Sequence, residues 1–167
     1  MIVIIFGVSG AGKTTIAKLL ASELGWHFLE ADDFHPAANI KKMRSGRPLT
    51  DDDRWPWLDC LRKQIEQLLF ADENSVLPCS ALKRAYRDRL HVSAEVKFVF
   101  LRGEYALVEK QLRSRPAHFM SPALLQSQFD DLEQPEPDEN VLTMDLGRTP
   151  QEIVEKIKVK LHLAGNA

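Results

Sequence analysis

Residues Gly7-Val8-Ser9-Gly10-Ala11-Gly12-Lys13-Thr14 satisfy the spacing G-x-x-x-x-G-K-[ST], directly after a β-branched apolar run and directly before a helical pattern. Those residue types in that place are chemistry for a polyphosphate. Glycines let the backbone turn its N–H groups inward around phosphate oxygens, and the opening turn of a helix adds positive potential. Lys13 is placed to reach the β- and γ-phosphates of a nucleoside triphosphate, Thr14 to offer a hydroxyl to Mg²⁺, and Thr15 to complete the cradle. A glycine-rich turn with a chance lysine is the plainer alternative, but it does not explain why strand, loop and helix occur together.

A second group, Glu30-Ala31-Asp32-Asp33, closes the next apolar segment. Phosphoryl transfer depends on positioning and charge stabilisation, so a carboxylate beside the phosphates has only to align a hydroxyl and accept its proton. Asp32 is the expected aligner or base, and Glu30 or Asp33 the expected water-mediated ligand of Mg²⁺. Asp33 serves equally well as a cap for the turn that follows. His35 either binds polyol hydroxyls or packs on Pro36. Arg54 offers a fork-shaped cation suited to a carboxylate, although Thr50 followed by Asp51, Asp52 and Asp53 also reads as a capped helix start.

Lys83, Arg84, Arg87 and Arg89 form a basic helix face, for which solvation is the bland explanation. Lys83 and Arg87 are the expected substrate ligands, because they follow the C-terminal end of a strand, where ligands gather in parallel sheets. Arg84 and Arg89 are left to solvent. Arg113 and Arg115, just before Pro116, suit a lid that closes over a triphosphate and excludes water.

The elements that must hold these residues follow from apolar periodicity. Strands are expected at Ile2–Phe6, Trp26–Leu29, Ser75–Cys79, Val96–Leu101 and Val141–Met144. Helices are expected at Lys13–Leu24 with Gly25 as the stop, around Leu58–Leu68, and at Ala81–Leu90, Tyr105–Leu112 and Pro122–Leu132, with a last one carrying Ile153, Ile157 and Leu161. Residues 35–56 are charged and punctuated by proline, long for a connection, and so an excursion with short helices. Strands alternating with helices imply a three-layer α/β/α fold around a mostly parallel five-stranded sheet, as one domain over 1–167.

Composition narrows the function classes. The chain has 167 residues, 44% hydrophobic and 28% charged, with a formal charge of −2. That balance gives no support for nucleic acid or an anionic membrane as the main partner. Cys60 and Cys79 have no metal-ligand or redox spacing, and the apolar run Ile2–Phe6 is too short for a signal or membrane segment, so a cytoplasmic protein is expected. No Asn-Lys-x-Asp element follows a later strand, which argues against a GTPase, and the body is small for a motor ATPase.

Longer blocks carry a resemblance. Glu30-Ala-Asp-Asp-Phe-His-Pro36, Asn39-Ile-Lys-Lys-Met43, Gly46 to Leu58, Cys79 to Asp88, His118-Phe-Met120 and Ser127-Gln-Phe129 closely resemble the gluconate kinase family, in the same order from Gly7 to about Pro135. The resemblance implies transfer of the γ-phosphate of ATP to the 6-hydroxyl of D-gluconate, with Mg²⁺, in sugar-acid catabolism. It implies a fold like that of nucleoside-monophosphate kinases, an acceptor-binding excursion at about 35–56, a lid at about 113–121, and a homodimer. It also implies that Arg115 joins Lys13 and Asp32 in catalysis, and that His118 joins Asp32, His35, Arg54, Lys83 and Arg87 at the acceptor. Two positions depart from the family pattern: Gln111 stands where arginine is common, and Ala117 where glycine precedes the histidine. Rival readings are a kinase of the same fold for another polyol acid or a shikimate-like acceptor, and a catalytically silent ATP-binding regulator. A shikimate site would show a triple-glycine turn where this chain has Cys79-Ser-Ala-Leu82.

Overall fold

A computed structural model of the chain describes residues 1–114 and 122–163. Strands β1 (Ile2–Phe6), β2 (His27–Phe28), β3 (Ser75–Cys79), β4 (Val96–Arg102) and β5 (Leu142–Asp145) form one sheet in the order β2-β3-β1-β4-β5, with every pair parallel. The helices are α1 (Lys13–Leu24), α2 (Ala37–Arg44), α3 (Asp51–Phe70), α4 (Arg84–Leu90), α5 (Tyr105–Arg113), α6 (Pro122–Asp131) and α7 (Pro150–Lys160). The expected three-layer α/β/α arrangement is present.

Side chains of a strand alternate between its faces, and β1 shows what each face meets. Val3 and Ile5 pack with Ile16, Leu20 and Leu24 of α1 and Ile153 and Ile157 of α7. Ile2, Ile4 and Phe6 pack with Leu58, Leu61 and Ile65 of α3 and Tyr86 and Leu90 of α4. All five β1 residues are buried, as a strand covered by helices on both faces requires. The chain leaves β1 toward α1 on one face and leaves β3 toward α4 on the other. That divergence opens a crevice beyond the C-terminal ends of β1 and β3.

Pro78 lies inside β3 without breaking the sheet. The carbonyl of Val76 accepts from Leu29 N–H, so by alternation the missing N–H of Pro78 also faces the β2 side. There β2 has already ended, opposite Val76, so the missing donor leaves no gap in the ladder.

Several strand and helix ends shift by one or two residues from expectation, and two helix starts shift further. Helix α3 begins at Asp51, not near Leu58, because Thr50 and Asp53 form a reciprocal capping box that starts it ahead of Pro56. Pro56 forfeits a bond only to the carbonyl of exposed Asp52, which water can satisfy. The basic helix begins at Arg84, with Lys83 as N-cap, since Ala81 and Leu82 are buried in the turn after β3.

Candidate active site

Between β1 and α1 the cradle is shaped by its glycines and by what the helix lacks. Gly12 is the N-cap of α1 in a left-handed conformation (φ 87°), with no side-chain cap and no acid in the first turn. The leading N–H groups of the helix are therefore left for an anion to satisfy. Gly10 is also left-handed (φ 84°), and a Cβ there would lie 2.4 Å from Cγ of Leu112 on α5. Lys13 folds back across the loop and donates from Nζ to the Val8 carbonyl at 3.0 Å. Val8 and Ala11 are buried, and Thr14 and Thr15 are exposed.

The acidic turn stands beside this cradle. After β2, Leu29 still bonds to β3, and the chain then turns through Glu30 into a 3-10 turn at Ala31–Phe34. Thr14 Oγ1 donates to Glu30 Oε2 at a long 3.4 Å, so the two residues expected at the metal are neighbours. Burial pushes the Glu30 carboxyl above its usual range, and the charge of Asp32 adds to the rise. A hydroxyl and a carboxylate are hard oxygen donors that fit Mg²⁺, which takes one or two carboxylates and completes its shell with water and phosphate oxygens. No group of three or more His, Cys, Asp or Glu side chains that could hold a metal ion occurs among the described residues. Asp33 is exposed on the same turn, and it caps neither neighbour: α2 has Pro36 at its N-cap and no side-chain cap.

His35 is buried and stacks on Trp57, with ring centroids 4.2 Å apart and planes 14° apart. Trp57 in turn donates from Nε1 to the Ala31 carbonyl at 2.8 Å, tying α3 to the acidic turn. Asn39 Nδ2 donates to the Asp53 carbonyl at 2.7 Å and approaches His35 Nδ1 at 3.3 Å. An amide nitrogen only donates, so Nδ1 accepts and the proton of the neutral ring sits on Nε2. Burial lowers the His35 pKa, the nearby Asp32 opposes the shift, and Arg54 reinforces it. Nε2 lies 3.9 Å from Asp32 Oδ1, too far for a direct hydrogen bond but suited to an intervening hydroxyl.

Arg54 lies in the first turns of α3, buried, with its guanidinium 5.7 Å from the centre of the Tyr86 ring. Its Nε is buried and has no hydrogen-bond partner among the described residues. The thiol of Cys79, at the end of β3, is pushed up to about 12 by burial, and the charges that reach it are those of Asp32, Lys13 and Arg54.

An AAA domain family model matches residues 2–134. That description is broader than a kinase, and full-length relatives narrow it. A gluconokinase of Gluconobacter oxydans is 43% identical over 159 residues, covering 92% of this chain and 87% of that protein. The chain belongs to the gluconokinase family. A crystal structure of a gluconokinase from Sinorhizobium meliloti is 40% identical, with a TM-score of 0.86, covering 96% of this chain and 90% of that one. An unliganded sugar kinase from Janibacter sp. is 43% identical, with a TM-score of 0.92, covering 98% and 95%.

On this gluconokinase fold, several expected ligands are held by protein partners. Arg87 is engaged by protein groups, against the expectation of a ligand open to substrate. It is 2% exposed, its fork is closed on Glu139 at 2.6 and 2.9 Å, and its remaining nitrogen bonds the carbonyls of Ala81, Leu82 and Glu133. Lys83 is held by Asp51 at 2.8 Å and lies 3.6 Å from Asp131, so its charge is already opposed by two carboxylates. Arg84 is not simply solvated: it pairs with Glu136 and Asp138. Arg89 pairs with Asp59. Arg113 pairs with Glu109 one turn back along the exposed face of α5. Arg115, Ala117 and His118, with most of the expected lid, lie outside the described residues.

The sequence reading passed over Gln128 of α6, which bonds Ser9 in the cradle, and Asn39, which sets the His35 tautomer. Both stand inside blocks that carry the gluconokinase resemblance, and that placement was the one signal available. It passed over Tyr86 as well, whose hydroxyl bonds Asp51.

Proposed function

We propose that this protein transfers the γ-phosphate of ATP to the 6-hydroxyl of D-gluconate, giving 6-phospho-D-gluconate and ADP. The observation that carries the reading is a phosphate cradle that meets the acidic turn at the 3.4 Å Thr14–Glu30 contact, with the Asp32 carboxylate on that turn and the buried Arg54, its Nε unpartnered among the described residues, on α3. A polyhydroxy acid has a matching group for each of the last two. Arg54 takes its carboxylate, and His35 Nε2 and Asp32 Oδ1, 3.9 Å apart, are bridged from the side by a hydroxyl that accepts from the imidazole and donates to the carboxylate.

In the transfer step the substrate O6 forms a bond to the γ-phosphorus as the bond from that phosphorus to the β,γ-bridging oxygen breaks. The O6 proton passes to Asp32. The cradle N–H groups and Lys13 hold the phosphates in line and stabilise the charge that builds on them. Thr14 and Glu30, with Asp33 through water, would hold Mg²⁺, which supplies neutralisation of the β- and γ-phosphate charge when bound. Arg115 and His118 belong to the same proposal by family resemblance, as ligands of the triphosphate and of the acceptor. So do the acceptor excursion at 35–56, the lid at 113–121, the homodimer and a cytoplasmic place in sugar-acid catabolism. No helix among the described residues is long and apolar enough to cross a membrane.

The position of transfer is tested by ³¹P and ¹³C NMR of the product formed from gluconate and Mg-ATP. Phosphorus coupling to C6 and C5 is expected. Coupling to any other carbon pair would remove the assignment of O6 as the attacking atom.

A further inference from the structure

Ser9 is held in the cradle by one side chain from a distant helix. Gln128 of α6 accepts from the Ser9 backbone N–H at 2.6 Å and donates from Nε2 to the Ser9 Oγ at 3.0 Å, both contacts partly buried. The orientation of the amide follows from chemistry: a backbone N–H can only donate, so Oε1 must face it and Nε2 must face the hydroxyl. The hydroxyl is therefore an acceptor in this pair, and its own hydrogen points away from Gln128. Ser9 directly precedes Gly10, where an added Cβ would run into Leu112 of α5, so the loop has little room on that side. Two bonds at one residue fix both its backbone and its hydroxyl, which neither bond does alone.

We propose that Gln128 is a positioning residue for phosphoryl transfer. By clamping Ser9 it fixes the loop before nucleotide arrives and turns the Ser9 hydroxyl hydrogen toward the phosphate chain. This rests on the cradle binding a nucleoside triphosphate, and it deepens that reading by adding a residue about 120 positions from the loop. Gln128 touches no reacting atom. It acts through Ser9, so its loss must appear in nucleotide binding and transfer and not in acceptor binding.

The test compares the full-length protein with Q128A, Q128E, S9A and the double variant S9A/Q128A, using titration with a non-hydrolysable ATP analogue plus Mg²⁺ and steady-state kinetics. Q128A is expected to weaken analogue binding about fivefold to tenfold, the equivalent of one or two hydrogen bonds. Its KM for gluconate should stay within about twofold, since a uniform loss of binding falls on the substrate whose site is disturbed. Q128E keeps the acceptor for the backbone N–H but can only accept from the hydroxyl, so it draws the Ser9 hydrogen away. It should bind analogue more weakly than Q128A. The double variant should be no worse than the poorer single one, as expected for two residues acting as a unit.

Unchanged analogue affinity in Q128A and Q128E would overturn the proposal. So would additive losses in the double variant, or an equal rise in both KM values accompanying a general fall in melting temperature. If the unaltered protein binds the analogue but forms no product with gluconate, the acceptor assignment fails while the clamp is still judged by the binding series.

Discussion

Asp32 and His35 lie 3.9 Å apart at Oδ1 and Nε2, and each has a consequence that can be measured. Asp32→Asn keeps the shape but cannot accept a proton. Turnover should fall by about 10²-fold or more, with Mg-ATP affinity within about twofold. Near-normal turnover with unchanged ATP binding would remove Asp32 from its role. His35 is disfavoured as a cation in the fold by burial, with Asp32 opposing and Arg54 adding to the effect, so its folded pKa lies below the ordinary 6.5. As pH falls through that value the unfolded chain takes up the proton first, and stability present above it is lost below it. Denaturant unfolding from pH 8 to 5 should show that decline, and His35→Gln should flatten it. A decline of the same slope in the variant would place the titration elsewhere.

The helix start that carries Arg54 depends on Thr50, whose side chain accepts from Asp53 N–H while the Asp53 carboxylate accepts from Thr50 N–H. Asp53 is held down at about 2 by Lys42 of α2 and by Thr50, so the cap also ties α2 to α3. Thr50→Ala should cost about 1 kcal/mol in denaturant unfolding. It should also raise the KM for gluconate more than the KM for ATP, because the first turns of α3 place Arg54. Equal changes in both would separate the cap from the acceptor site. This start was legible in Thr50 and the three aspartates after it, yet Pro56 read as the end of an irregular stretch. The reciprocal cap outweighs one missing bond on an exposed turn. Strands β1 and β3 were legible to the residue, because a strand buried on both faces leaves an apolar run, unbroken in β1 and following Ser75 in β3.

Across the whole molecule, what the sequence concealed is long-range. A basic residue after a strand reads alike whether it meets solvent, substrate or a carboxylate far along the chain. Arg87 meets Glu139, 52 positions later, and the pair is 2% and 5% exposed at its side chains. That pair fastens the segment before β5 against α4. Glu139→Ala would strand a buried guanidinium and should cost about 3 kcal/mol of stability, with the KM for gluconate unchanged at a temperature where the variant is folded. A selective rise in that KM would return Arg87 to the acceptor site. Gln128 was equally hidden, since a neutral amide on a helix has no chemical signature until the fold brings it to Ser9. The cradle, by contrast, needs only local sequence, and it stands where the crossovers from β1 and β3 diverge.

The measurement that bears most directly on the whole account is ADP release with Mg-ATP across gluconate, idonate, galactonate, glycerate, shikimate and nucleosides. The account predicts ADP formation that depends on added acceptor and is fastest with gluconate. Fast turnover with another acceptor and none with gluconate would contradict the reading of Arg54, Asp32 and His35. ADP release indifferent to every acceptor would contradict the kinase itself.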